Sequence, residues 1–151
     1  GGGCELAAAL DFIYVSETAR FAQTETKLGI IPGAGGTQNL SRAVGEKRAM
    51  ELILSGAVFS ARDAVEWGLA NAIFKPDELM DAALKAAWKI ANNAPIAVRQ
   101  AKQAIHKGLQ MGLLDGIAFE IEAYNRTIST EDRREGVLAF NEKRKAVFKG
   151  E

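Results

Sequence analysis

Two carboxylates are candidates for chemistry, Glu5 behind three consecutive glycines and Glu25 within Phe21-Ala22-Gln23-Thr24-Glu25-Thr26-Lys27. The run Gly1-Gly2-Gly3-Cys4-Glu5 leads directly into helix formers, and the N–H groups of a helix's first turn have no partner inside the helix. The helix dipole adds partial positive charge there, so this end can hold an oxyanion, and glycine lets a ligand come close to the backbone. A tight turn with a favourable first-turn acid is the plainer reading of the same residues. Glu25 stands between apolar Phe21 and Leu28, just before a glycine-rich loop. Loops on a rigid scaffold often carry catalytic groups, and a carboxylate there is a candidate for proton transfer. Its plainer alternative is a solvated acid paired with Lys27 or Arg20.

The loop itself, Gly33-Ala34-Gly35-Gly36-Thr37, has the look of a phosphate cradle but not its chemistry. No lysine follows Gly36, and the glycines are spaced by two and one, so neither a nucleotide-hydrolysing loop nor a dinucleotide fingerprint is met. A fourth candidate is Lys143-Arg144-Lys145-Ala146-Val147-Phe148-Lys149, basic and free of acids. Cations there could complement the dipole of a helix end or meet a phosphorylated ligand. Cys4 reads as a small buried filler and His106 as a surface residue in a helical stretch.

Composition narrows the classes. The 151 residues carry 19 Lys+Arg against 19 Asp+Glu, and 48% are hydrophobic. Zero net charge gives no general attraction to nucleic acid or anionic lipid. One Cys with one His cannot form an intramolecular disulfide or supply the usual ligands of a structural zinc site. No stretch of about eighteen apolar residues occurs, so no spanning helix is expected. The opening glycines, with no initiator Met, lead us to expect an interior part of a longer protein rather than a secreted precursor.

The elements that must position these residues begin with a short helix over Glu5–Leu10 and a strand over Phe12–Val15. Pro32 and the glycines around it make an ordered loop, anchored by Ile30 and Ile31. From Thr37 the pattern is almost wholly helical, broken at Gly45, Gly56 and Gly68, with Ser60 and Asp63 capping a short helix. Ala72–Phe74 reads as a last strand. Pro76, Asp77 and Glu78 open a helix whose Met80, Ala83, Leu84, Ala87, Trp88 and Ala91 form one apolar face, expected to pack along its length. Helices follow from Pro95 to about Gly108 and from about Leu113 to Ile128, and Ser129 with Asp132 is expected to cap a last one reaching the C-terminus. The fold class is therefore α/β, with an α/β part over residues 1–75 and a helical part over 76–151. Several helices with little sheet to cover point to an oligomer.

Taken together, the segments at 1–5, 21–25 and Leu28-Gly-Ile-Ile-Pro-Gly-Ala-Gly-Gly-Thr-Gln38 resemble the crotonase superfamily, the enoyl-CoA hydratases and isomerases, and are most similar to short-chain enoyl-CoA hydratases. Asp132-Arg-Arg-Glu-Gly136 and Phe140-Asn-Glu-Lys-Arg144 extend the resemblance over the whole chain. It implies the second half of a spiral of ββα turns, followed by C-terminal helices that build trimers, usually paired into hexamers. It also implies syn addition of water across the double bond of a trans-2-enoyl-CoA, giving a 3-hydroxyacyl-CoA, in fatty-acid or amino-acid degradation. Glu5 would activate the water, Glu25 would protonate C2, and Gly2 N–H would supply one of two donors to the thioester oxygen. Gly33, Tyr124 and Lys143 match substrate-binding positions. No cofactor is implied, since CoA belongs to the substrate, and no metal, nucleic acid or membrane. Isomerase relatives generally keep one acid of the pair, so two favour hydration. A methylglutaconyl-CoA hydratase, an isomerase or a non-catalytic assembling relative are the alternatives. The second donor and the adenine pocket lie upstream in the family, so a 151-residue piece alone is expected to be inactive. A bacterial cytoplasm or mitochondrial matrix would suit such an enzyme. Thr24 stands where hydratases often have Pro.

Overall fold

Four strands of three residues each organise the first part of the chain: β1 (Tyr14–Ser16), β2 (Arg20–Ala22), β3 (Val58–Ser60) and β4 (Ala72–Phe74). In the computed structural model, which describes residues 1–151, β1 pairs in parallel with β4, Tyr14 opposite Ala72. Inside that pairing β2 runs antiparallel to β3, Phe21 opposite Phe59. The Phe21 and Phe59 rings stack at 5.5 Å, and Phe59 also meets Trp67 at 5.6 Å. Such cross-strand aromatic pairs stabilise short strands that backbone bonds alone would not hold. Neither β2 nor β3 was expected from the sequence, because three residues show no alternation and Val58 sits in an otherwise helical stretch. The first expected strand lies two residues later than Phe12.

Helix α1 (Gly2–Ala8) begins at the glycines rather than after them. A 3₁₀ turn covers Glu25–Leu28, and α2 (Gly36–Val44), α3 (Glu46–Ser55) and α4 (Ala61–Glu66) follow. Gly45 and Gly56 end α2 and α3 with positive φ, as expected of helix-stopping glycines. Ser60 caps α4 in a full capping box with Asp63. The core of this part gathers Val15, Leu40, Leu52, Phe59, Ala61 and Ala64.

The chain forms two compact units, Gly1–Leu84 and Lys85–Glu151. Helix α5 (Leu79–Ala91) spans that boundary. Its apolar face is left open within the chain: Met80 is 67% and Trp88 66% exposed. In the second unit α6 (Pro95–Gly108) packs along α7 (Leu113–Ile128). Gly108 meets Gly116 there so closely that a Cβ on Gly116 would lie 3.2 Å from the Gly108 carbonyl oxygen. The last helix, α8 (Glu131–Asn141), departs from expectation at both ends. Thr130, not Ser129, has the extended backbone of a cap, and its hydroxyl accepts from the Arg133 amide at 3.1 Å. Ser129 instead closes α7. After Asn141 the chain folds back on α8: buried Asp132 accepts from the Lys149 and Gly150 amides at 2.7 and 2.8 Å. No helix is long and apolar enough to cross a membrane.

Candidate active site

Glu5 lies in α1, and its carboxylate is only 4% exposed. Its Oε1 accepts from the Ala34 amide at 2.8 Å and the Gly36 amide at 2.9 Å. Helix α2 has no side-chain cap of its own, so Glu5 supplies the anion at its N-terminus from another helix. The loop geometry that permits this is specific to glycine. Gly35 sits at φ 98°, and a Cβ on Gly36 would lie 2.7 Å from Gln23 Nε2, 2.8 Å from Pro32 Cβ and 2.9 Å from Glu5 Cγ. Fixing one oxygen of Glu5 in this way leaves the other as the group able to face a reactant.

Glu25 opens the 3₁₀ turn rather than lying in a loop, with its side chain only 13% exposed. It is not paired with Lys27, whose ammonium donates to the Gly56 carbonyl. Glu25 Oε1 lies 3.7 Å from the Gly1 nitrogen, while Oε2 is buried without a protein partner. The Gly1 nitrogen also donates to the Ala22 carbonyl, so the end of β2 and the start of α1 meet beside this acid. Both carboxylates act electrostatically on the Cys4 thiol, whose pKa is raised chiefly by burial.

At the start of α1, Cys4 and Glu5 donate to the Gly1 carbonyl, whereas the Gly2 and Gly3 amides donate to nothing within the chain. A Cβ on either glycine would meet nothing within 4 Å. Two amides without a partner in the chain thus stand at the start of the helix that carries Glu5, next to the Gly1 nitrogen that lies 3.7 Å from Glu25, a setting suited to an oxyanion and a proton transfer in one place. Gly33 lies exposed in the same loop as Gly36.

One residue of this cluster went unnoticed in the sequence. Gln23 is fully enclosed, with both amide atoms lacking protein partners, packed against Gly36. It stands in the 21–25 segment that carries the resemblance, but nothing there marks it as buried; the bare glycine surface beside it explains why an amide fits. Thr24 has φ −101°, outside the range near −65° that a proline ring imposes, so its departure from proline alters the approach to Glu25.

Tyr124 and Lys143 belong to the second unit. Tyr124 is 63% exposed on α7, and Lys143 takes a positive φ of 54° just after α8. Within the basic run around it, Arg144 bridges Glu135 through two bonds of 2.6 and 2.8 Å. Across the chain, no group of three or more His, Cys, Asp or Glu could hold a metal ion.

Comparison with known proteins completes the picture. The family model for enoyl-CoA hydratase/isomerase matches residues 1–151. The chain is 47% identical over 149 residues to the mitochondrial enoyl-CoA hydratase of Pongo abelii, covering 99% of this chain and 51% of that one. It is 48% identical over 145 residues to a short-chain-enoyl-CoA hydratase of Clostridium acetobutylicum, covering 96% and 56%. A crystal structure of enoyl-CoA hydratase from Bacillus anthracis superposes with TM-score 0.98 at 50% identity, over 100% of this chain and 58% of that one. The fold is thus the α/β crotonase-like one, and the chain spans little more than half the length of the curated relatives it matches.

Proposed function

This chain belongs to the enoyl-CoA hydratase/isomerase family, and from that membership we propose that the whole protein hydrates trans-2-enoyl-CoA thioesters. The observation that carries the reading is the convergence of Glu5 and Glu25 on the start of α1, beside amides with no partner in the chain. The thioester oxygen would accept from the Gly2 N–H, which stabilises the enolate-like charge that develops as water adds to C3. One such donor is typically worth about 2.7 to 4 kcal/mol. Glu5, with Oε1 held by the loop, would use its other oxygen to orient the water and take its proton. Glu25 would deliver a proton to C2 on the same face, so that hydroxyl and hydrogen add syn and a 3-hydroxyacyl-CoA leaves.

In this reading CoA arrives with the substrate and no further cofactor takes part. Gly33 would contact the substrate, and Tyr124 and Lys143 would contact CoA, of their own or a neighbouring subunit. The whole protein would work as a trimer or dimer of trimers in fatty-acid or amino-acid degradation, in a bacterial cytoplasm or a mitochondrial matrix. Two acids favour hydration over isomerisation, and rates on crotonyl-CoA, methylglutaconyl-CoA and a 3-enoyl-CoA would separate the three activities.

The decisive test uses glutamine in place of each acid in the full-length protein. Glu5→Gln keeps an oxygen able to accept from Ala34 and Gly36, so it removes the base without uncapping α2. Each variant is expected to lower kcat for crotonyl-CoA hydration by about 10²- to 10⁴-fold, the usual range for one acid-base group. Rates like those of the unmodified protein in both variants would rule the proposal out.

A further inference from the structure

The carboxylate of Glu25 has little of its own to hold it: Oε2 has no protein partner and Oε1 only the Gly1 nitrogen at 3.7 Å. Within this chain, its placement therefore depends on the backbone that bears it. That backbone is a turn of only four residues, closed by bonds from Lys27 N to Thr24 O, Gly29 N to Thr26 O and Ile30 N to Glu25 O, of 3.0 to 3.2 Å. An isolated 3₁₀ turn of this length is weakly held, since its hydrogen-bond geometry is poor.

Two side chains of the turn fasten it to another element. Thr26 Oγ1 donates to the Ile53 carbonyl at 2.9 Å, and Lys27 Nζ donates to the Gly56 carbonyl at 2.7 Å. Both acceptors stand at the C-terminal end of α3, where the last carbonyls lack helical partners and the dipole leaves partial negative charge. An ammonium and a hydroxyl suit that end. Gly56 closes α3 at φ 60°, and the lysine stem lies across it: Lys27 Cε is 2.6 Å from where a Gly56 Cβ would stand. The turn is thus anchored at two consecutive residues directly after the acid.

We infer that Thr26 and Lys27 are positioning residues for Glu25, fixing its turn on the C-terminal end of α3 by two side-chain bonds; the inference rests on the proton-transfer role proposed above. Both side chains point at α3 rather than at the acid, so they act through the backbone and not on the reactants.

The test compares Thr26→Val, Lys27→Met and the conservative Thr26→Ser in the full-length protein. Hydrogen exchange at the Gly29 and Ile30 amides reads the turn, and crotonyl-CoA kinetics read the acid. We expect faster exchange at those two amides in Thr26→Val and Lys27→Met, with α1 and α2 unchanged. Each is expected to lower kcat about tenfold with KM retained, a loss in keeping with the roughly hundredfold effect of a 1 Å misplacement. Thr26→Ser should restore both readouts, and in a Glu25→Gln background the two variants should cost no further rate. Unchanged exchange overturns the clamp. A loosened turn with unchanged kcat, or an equal loss in the Glu25→Gln background, overturns the positioning role. A full-length protein without any hydratase turnover would instead overturn the function proposed for it, while exchange still decides whether the turn is clamped.

Discussion

A loop of three glycines entering a helix ordinarily invites a phosphate, yet here the Ala34 and Gly36 amides are taken by the protein's own Glu5. The missing lysine after Gly36 is then no defect, because the anion being held is a side chain with its backbone fixed in α1. Gly36 is the residue on which this depends. Alanine in a helix normally gains about 0.5 to 1 kcal/mol over glycine. At this position the added methyl would press on the buried Gln23, Pro32 and Glu5, and overpacking typically costs about 1 to 3 kcal/mol. The overpacking wins, so Gly36→Ala in the full-length protein is expected to lower the midpoint of denaturant unfolding and also the hydration rate, by displacing Glu5. Residue type and spacing alone leave both acids as plausible bystanders, and only the family resemblance of their segments singles them out as candidates. That Glu5 caps α2 was not legible, since the two helices meet only in three dimensions. Gln23 was illegible for a stronger reason: burial of an amide depends on the void beside Gly36, and no local pattern encodes that void.

At the level of elements, what is local in sequence was readable and what is not local was missed. The Ser60–Asp63 capping box and the extents of α6 and α7 follow from residues within a few positions of each other. Strand β3 owes its existence to Phe21, far away in the chain, and could not be read from three residues. The fold of the segment after α8 is non-local in the same way: Arg144 and the Val147 amide both bind Glu135, at 2.6 to 2.8 Å. The Arg144 hydrogen bonds, then the Val147 amide, lower the Glu135 pKa from 4.5 to about 2. A depressed carboxyl contributes stability that is present above the ordinary carboxylate value and lost as pH falls through the folded value. The Val147 amide resonance is therefore expected to hold its position from pH 7 through pH 4 and to shift with a midpoint near 2. A midpoint near 4.5 would mean the bridge does not form in solution. Glu135→Ala, which leaves no acceptor for the Val147 amide, should give the shifted resonance already at pH 7.

Across the whole molecule, apolar surface is unevenly covered. The first unit has a continuous buried cluster, whereas in the second only Ala123 and Ala139 are buried among apolar side chains. Leu113 and Leu114, at the start of α7, are 78% and 81% exposed. Helices draw most of their stability from covering an apolar face, so these faces call for further protein surface. The 151-residue chain by itself is accordingly expected to associate in light scattering at micromolar concentration and to show no crotonyl-CoA turnover. A monodisperse monomer, or turnover by the chain alone, would contradict this. The sequence pattern divides the chain after residue 75, just past β4, whereas the two compact units divide between Leu84 and Lys85, inside α5. The strand pairings carry a last consequence, for the order in which the protein acquires its shape. Tyr14 must find Ala72, and Arg20 must find Ser60, before either contact repays the entropy of closing the intervening chain. Glu25 and the glycine-rich loop lie inside both closures. The setting of Glu25 is thus expected to form late in folding, and a kinetic intermediate that has formed α6 and α7 but not these two pairings is expected to have helices and an unformed candidate site.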